Sequence, residues 1–260
     1  VMPKQLHTGH AAWAGLTAAS LAQAGFTGPR CILEGEKGFF AAMCPDAGPQ
    51  QLLAPAADWM IHETSFKPWP ACRHTHATID CVLALRKQLG GGPLVFSEAQ
   101  VESFGDAVRI CDQPRPQTPI EAKFSLQYAV AASARWGRLE PEHFDPDALR
   151  DSGLLATAAR VRLAIDPDLD AAYPARYGAR VTLRLADGSR HCAQVGDALG
   201  DPERPMHGED LLDKARKLMR YGGVASARMQ SVLDAACALQ QQVADEPQAP
   251  FPRALLDPLF

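Results

Sequence analysis

The sequence predicts an α+β fold: a mainly helical body with an α+β module inserted into it or appended to it. Three observations point there. Residues 9–24 are small or apolar at almost every position, the pattern of a helix enclosed on all sides. Residues 161–165, 180–185 and 190–195 read as short strands, the last two joined by the turn Ala186-Asp187-Gly188-Ser189. Residues 209–243 return to helical periodicity. Helices, then strands mixed with helices, then helices again is the segregated order of an α+β chain.

Bulk properties narrow the function classes. The 260 residues suffice for one large domain or two smaller ones. At 47% hydrophobic and 22% charged, the composition is that of an ordinary globular protein. A formal net charge of −4 gives no basic footprint, so nucleic acid is not an expected partner. No apolar run is long enough to span a bilayer, and no membrane partner is expected. The seven cysteines are odd in number and scattered, as in reduced, cytosolic proteins, so a cytoplasmic location is expected. The chain opens on Val1-Met2-Pro3-Lys4 and at once enters an apolar helix. That start leads us to expect the downstream part of a larger protein, or one of two complementary chains. A start at Met2 is the plainer alternative.

The elements follow in order. Gly25 and Pro29 end the first helix. Lys4, His7 and His10 are three apart and would share one stripe if helical; buried, hydrogen-bonded imidazoles are the plain reading of the two histidines. Residues 28–40 read as a turn, a short extended piece and a helix start. Residues 50–57 read as a short helix or loop, and 59–66 as a partly alternating strand. Ile79, Val82, Leu83 and Leu89 set a helix that Gly90-Gly91-Gly92 ends. Residues 101–111 read as a strand, and 120–136 as one helix ended by Gly137, with Lys123 inside it. Short Asp-rich helices are expected over 140–157 and a Gly/Asp/Pro linker over 196–207. Two helices over 209–221 and 226–243 precede a Pro-rich tail.

The stretch Lys67-Pro68-Trp69-Pro70-Ala71-Cys72-Arg73-His74-Thr75-His76 carries the chemistry. It gathers a lysine, an arginine, two histidines and a thiol where a proline-stiffened loop meets a helix N-terminus. Backbone N–H groups and the helix dipole favour an anion there, and the basic side chains add to that attraction. The expected ligand is a small molecule bearing several carboxylates. The plain alternative is a Pro-rich loop with surface or capping histidines. A metal site at Cys72, His74 and His76 is not expected, because Cys-x-His-x-His lacks the usual zinc spacings and nothing nearby completes a tetrahedral set.

Five segments together resemble the MmgE/PrpD family, which includes 2-methylcitrate dehydratase, cis-aconitate decarboxylase and iminodisuccinate epimerase. They are Lys4-Gln5-Leu6-His7-Thr8-Gly9-His10-Ala11-Ala12, Gly25-Phe26-Thr27-Gly28-Pro29, Leu33-Glu34-Gly35 with Gly38-Phe39, the stretch 67–76, and Glu121-Ala122-Lys123-Phe124-Ser125-Leu126-Gln127-Tyr128. The resemblance implies a cofactor-free lyase, a homodimer, and no metal. It implies a helical domain from residues 1–61 and 205–260, with an α+β lid over 62–204 that contains a small, largely antiparallel sheet.

Residue by residue, Lys4 and Lys67 look like the family's two active-site lysines. His74 and His76 become the candidate proton carriers, with His7, Cys72, Arg73 and Lys123 as candidate substrate contacts. Position 72 is histidine in the decarboxylase branch and cysteine here, which argues for a dehydratase acting on a 2-hydroxy polycarboxylate. An epimerase or decarboxylase on a related acid is the alternative. The family also carries an upstream helical segment with further catalytic positions. A non-catalytic family fragment that needs a separate N-terminal chain is therefore the alternative from another class.

Overall fold

The computed structural model describes residues 2–44, 46 and 59–245. The chain forms two compact units, Val1–His62 and Glu63–Phe260. The expected element at 50–57 and the Pro-rich tail lie outside the described residues.

The first unit contains α1 (Met2–Gln23) and α2 (Phe39–Met43). Gly25, at φ +88°, ends α1 in the left-handed conformation that favours glycine. The expectation that α1 is enclosed on all sides is corrected: Leu6, Trp13 and Leu16 are 69%, 62% and 73% exposed. Within its own unit, the described residues supply only loop, the five-residue α2 and most of one 3-10 turn, too little to cover the apolar part of the helix. The strand expected over 59–66 is also corrected. Met60–Glu63 is a single 3-10 turn, closed by His62 N donating to the Trp59 carbonyl at 3.0 Å, and Phe66 then runs on in extended loop.

The second unit is built on a four-stranded mixed sheet of β1 (Glu98–Ser103), β2 (Val161–Ile165), β3 (Ala179–Arg184) and β4 (Arg190–Val195). The order is β2-β1-β3-β4. The β1–β3 and β3–β4 pairs are antiparallel and β1–β2 is parallel. Ala99, Val101, Ala179, Val181 and Leu183 face inward, while Glu102 and Arg180 pair on the other face. One buried and one wet face is the usual condition of such a sheet.

Two long helices cover the inner face: α3 (His76–Gln88) and α6 (Leu126–Trp136). Val82 and Leu85 of α3, and Leu126, Val130 and Ala134 of α6, share one core with the sheet. Tyr128, Ala129, Ala131 and Ala132 on the far side of α6 form a second core with Leu139, Phe144, Leu149 and Leu154. The outer layer is a 3-10 turn at Pro141–Phe144 with α7 (Pro146–Leu149) and α8 (Ser152–Ala158). Thus α6 is the helix buried on every side, and its alanines allow the close approach on both faces.

Two further expectations are corrected. Residues 101–111 are not one strand: β1 ends at Ser103, and α4 (Gly105–Cys111) follows. Phe104, Ala107 and Cys111 are wholly buried at three- and four-residue steps, a helical period. Residues 120–136 are not one helix: α5 (Pro119–Lys123) is separate from α6. Ser125 causes the break by capping α6, its Oγ accepting from Tyr128 N at 2.9 Å and donating to the Gln113 carbonyl at 2.6 Å.

After α9 (Pro167–Ala172) and the β3–β4 hairpin, α10 (Gly208–Tyr221) and α11 (Ser226–Asp245) close the described chain. In α10, Lys217 bonds to Asp213 at 2.7 Å and Glu140 at 3.2 Å, and Tyr221 donates to Asp145 at 2.7 Å. Among the described residues, no helix is long and apolar enough to cross a membrane.

Gly200 has φ +91°, and a Cβ there would stand 1.8 Å from the Phe66 carbonyl oxygen. Gly188, at φ +85°, has open space around it. Gly200→Ala is expected to cost about 2–4 kcal/mol in urea denaturation, against about 1 kcal/mol for Gly188→Ala. Equal losses would mean that the close approach at Phe66 carries no weight.

Candidate functional site

The segment Ser65–His76 crosses the N-terminal end of α3 and is held at four points. Phe66 N donates to the Gly200 carbonyl at 2.8 Å. Cys72 N donates to the Lys123 carbonyl at 2.8 Å, an acceptor that stands at the end of α5, just before the break at Ser125. Trp69 Nε1 donates to Asp80 at 3.1 Å. Arg73 forms an ion pair with Asp201.

The two carboxylates anchor the segment to the loop after β4. Asp80, 6% exposed, also accepts from Leu199 N at 2.7 Å and Arg204 at 2.9 Å. Burial raises its pKa, and the donors from Leu199, Trp69 and Arg204 only partly offset that. Asp201, 5% exposed, accepts from Ser65 Oγ at 2.9 Å and Ala198 N at 3.0 Å.

The candidate residues are placed as follows. Lys67 is exposed, its Nζ 3.3 Å from the Ala71 carbonyl. Arg73 is largely buried; besides Asp201 it covers the Tyr177 ring at 4.7 Å. Its Nη1 is buried with no hydrogen-bond partner among the described residues. His74 is half-buried against aromatic rings, with centroids 5.3 Å from Phe104, 5.9 Å from Tyr177 and 6.4 Å from Tyr173. Phe104 and Tyr173 stack at 4.4 Å. The Tyr173 hydroxyl is hydrogen-bonded to Asp106, which raises the phenol's pKa.

Cys72 is buried, and its sulfur lies with Cys111 Sγ and a His74 ring nitrogen in a group whose atoms are all within 4.8 Å of one another. The neighbouring Cys72 thiol and burial push the Cys111 thiol far up. Lys123 is half-buried with Nζ 5.8 Å from the Phe144 ring, so its ammonium faces the second core's edge while its carbonyl holds Cys72. His7 is exposed on α1. Lys4 lies in the same helix, and its side chain is outside the description.

His76 is wholly buried at the start of α3. Burial, then the charges of Arg73 and Lys67, push its pKa down to about 3. The carbonyls of Ala71 and Trp69 favour the charged ring, yet neither ring nitrogen makes a well-formed hydrogen bond among the described residues. A neutral imidazole without solvent access is suited to supporting the loop, and His74 is the better placed of the two to meet a ligand. Sequence reasoning missed Asp80, Asp201, Tyr173, Tyr177 and Cys111. Only Asp80 had a signal, as a carboxylate among the apolar residues of α3.

A shallow cavity of about 540 Å³ lies at the other end of α3, lined by Leu83, Arg86, Lys87, Gly90, Gly91 and Gly137. It shares no residue with the loop cluster.

His76 has a pH consequence. Its folded pKa is below the unfolded 6.5, so the unfolded chain binds more protons between about 3 and 6.5. Stability is therefore full above pH 6.5 and falls as pH drops, by at most about 1.4 kcal/mol per pH unit. Asp80, with its raised pKa, works in the opposite sense, so the readout is a comparison. His76→Phe is expected to flatten the acid limb of the stability profile between pH 6.5 and 4.5. An unchanged limb would mean that His76 is not buried neutral.

Comparison with known proteins places the chain in a family. Residues 69–239 match the MmgE/PrpD C-terminal domain, and residues 1–52 the MmgE/PrpD N-terminal domain. The chain is 29% identical over 223 residues to the cis-aconitate decarboxylase of Mus musculus, covering 82% of this chain and 45% of that protein. It is 26% identical over 219 residues to the cis-aconitate decarboxylase of Homo sapiens, with the same coverages. The chain thus spans about half the length of the curated relatives it matches. Since the C-terminal-domain match alone covers more than half of the 260 residues, the chain belongs to the MmgE/PrpD family.

Proposed function

We propose that the chain contributes to a lyase that eliminates water from a 2-hydroxy polycarboxylate, in the manner of 2-methylcitrate dehydratase. The observation that carries this reading is the pinned loop 65–76, which presents Lys67, Arg73 and His74 from one short rigid segment. Elimination next to a carboxylate builds enolate-like charge as the proton leaves. Fixed cations and donors stabilise such charge best when they need no rearrangement.

In this reading Arg73 is oriented by Asp201 and Tyr177 and offers its buried Nη1 to a substrate carboxylate. Lys67 supplies a second positive charge at the loop's exposed side; the family resemblance gives Lys4 the role of a further active-site lysine and His7 that of a substrate contact. His74 takes the proton from the carbon beside the carboxylate, and the hydroxyl leaves as water with a proton from an acid. General acid–base transfer of this kind is worth about 10²–10⁴ in rate, so charge stabilisation supplies much of the remainder. A cytoplasmic homodimer is the proposed setting.

Decarboxylation of a related acid is the second reading, favoured by the names of the mouse and human relatives. The cysteine at 72 weighs against it. Because the chain spans about 45% of those relatives, a family fragment that needs a separate N-terminal chain is the third reading.

Protein purified from its native host, with any co-purifying chain retained, is to be screened with methylcitrate, citrate, cis-aconitate and iminodisuccinate. Absorbance of an unsaturated product from methylcitrate or citrate supports the dehydratase. Carbon dioxide release from cis-aconitate replaces it with the second reading. Turnover only when a second chain is present supports the third. Lys67→Ala is expected to lower kcat/KM at least ~100-fold with an unchanged circular dichroism spectrum. Near-normal activity would remove Lys67 from the mechanism.

A further inference from the structure

We propose that Cys72 and Cys111 are a redox pair, which a peroxide closes into a reversible disulfide between the loop 65–76 and the end of α4. Any effect of that link on turnover rests on the elimination reading; its formation does not. Cys72 is the residue before the Arg73–Thr75 3-10 turn, and Cys111 is the last residue of α4. Their sulfurs lie within 4.8 Å of one another, and the two thiols are hydrogen-bonded. A disulfide sets its sulfurs about 2 Å apart, so they must approach by less than about 3 Å. One short segment holds both backbones in place. Cys72 N donates to the Lys123 carbonyl at 2.8 Å. Just past Cys111, Gln127 Nε2 donates to Asp112 and Ser125 Oγ to the Gln113 carbonyl, both at 2.6 Å. The thiols cannot drift apart without breaking these bonds.

The two cysteines differ in a way that assigns their roles. Cys111 is wholly buried, and the neighbouring thiol and burial keep it protonated. Cys72 is 8% exposed, on the segment that carries Lys67 and Arg73. The charges of those two residues reach His76, four positions further on, and Cys72 stands between them in the chain. Nearby cations favour a thiolate, which is the form that attacks an oxidant. Cys72 therefore meets the peroxide. Its sulfur attacks one peroxide oxygen, the O–O bond breaks, and Cys72 becomes a sulfenic acid as one water leaves. The Cys111 sulfur then attacks the Cys72 sulfur, the S–O bond breaks, and the hydroxide departs as water with the Cys111 proton. Two thiols and one hydrogen peroxide become one disulfide and two waters; the sulfurs are oxidised and the peroxide is reduced.

Cys81 is the internal contrast. It is also wholly buried, but its Sγ donates to the Ala179 carbonyl at 3.3 Å, and burial pushes its thiol up to about 12. A buried thiol of that kind is inert. Cys31, Cys192 and Cys237 are exposed, so an oxidant reaches them freely. What sets Cys72 and Cys111 apart is a second sulfur already in contact, which captures the sulfenic acid before a further peroxide can oxidise it irreversibly. Where the elimination reading holds, the link draws residue 72 towards α4 and shifts the adjoining Arg73 and His74, so turnover falls until a reductant reopens the pair.

The test needs no substrate, so its failure is distinct from failure of the elimination reading. The combined Cys31→Ser, Cys44→Ser, Cys192→Ser and Cys237→Ser variant of the intact chain keeps Cys72, Cys81 and Cys111. Treated with hydrogen peroxide, then unfolded and alkylated, it is expected to lose two of these three thiols and to regain both with dithiothreitol. Peptide mapping is expected to find Cys72 joined to Cys111, lighter by two hydrogens, with Cys81 still a thiol. Adding Cys111→Ser is expected to abolish the link and leave Cys72 as a sulfenic acid that dimedone traps. Three intact thiols after an exposure that fully oxidises Cys31 and Cys192 of the wild type overturns the proposal. So does a link to Cys81, or Cys72 oxidised to sulfinic acid beside an intact Cys111. Should the fourfold variant fail to fold, the same mapping of wild-type protein decides: a Cys72–Cys111 peptide pair supports the proposal, and its absence overturns it.

Discussion

Two buried carboxylates, Asp80 and Asp201, hold the lysine-to-histidine loop in place, and the rest of the site depends on them. Burying a carboxylate costs several kcal/mol unless it is paired and hydrogen-bonded. Asp80 meets that cost with Trp69, Leu199 N and Arg204, and Asp201 with Ser65, Ala198 N and Arg73. Each therefore ties residues 65–73 to residues 198–204. Since Asp80 is carried by α3, the loop inherits the position of a helix packed on the sheet. Arg73 and Trp69 are thus oriented by contacts within the fold itself.

What was legible in the sequence was what local rules decide. The strand at 161–165, the hairpin turn at 186–189 and the helices near 209–221 and 226–243 rest on short-range periodicity and turn chemistry. The misreadings all sit where a neighbour in space decides. Residues 101–111 mix apolar and polar types, and only the burial of Phe104 and Cys111 shows the helical period. The break at Ser125 depends on the Gln113 carbonyl, supplied by a preceding loop. In the candidate site, the loop 67–76 was visible because its chemistry is contiguous. Asp201, Tyr177 and Cys111 were not, because each comes from a distant segment and has an ordinary context of its own.

The helices α1 and α6 make the same point about burial. Both are small and apolar around most of their circumference. In α6 that surface is covered, since cores form on both of its sides. In α1, Trp13 and Leu16 are left open. An apolar helix states only that it needs cover; which element provides the cover is a property of the assembled fold.

The cysteine at position 72 has consequences beyond the choice among family reactions. Its backbone is fixed on Lys123 and its side chain is 8% exposed within an apolar core. A histidine there would need more volume and a partner for at least one ring nitrogen. His76 shows how the interior treats such a ring, forcing it neutral. A thiol fits with neither demand, but it brings a second sulfur to Cys111. The same exchange thus removes a titratable ring from the loop and sets a second thiol beside Cys111. Residues 72–74 then carry one imidazole next to a pair of thiols, where a histidine at 72 would have given two imidazoles.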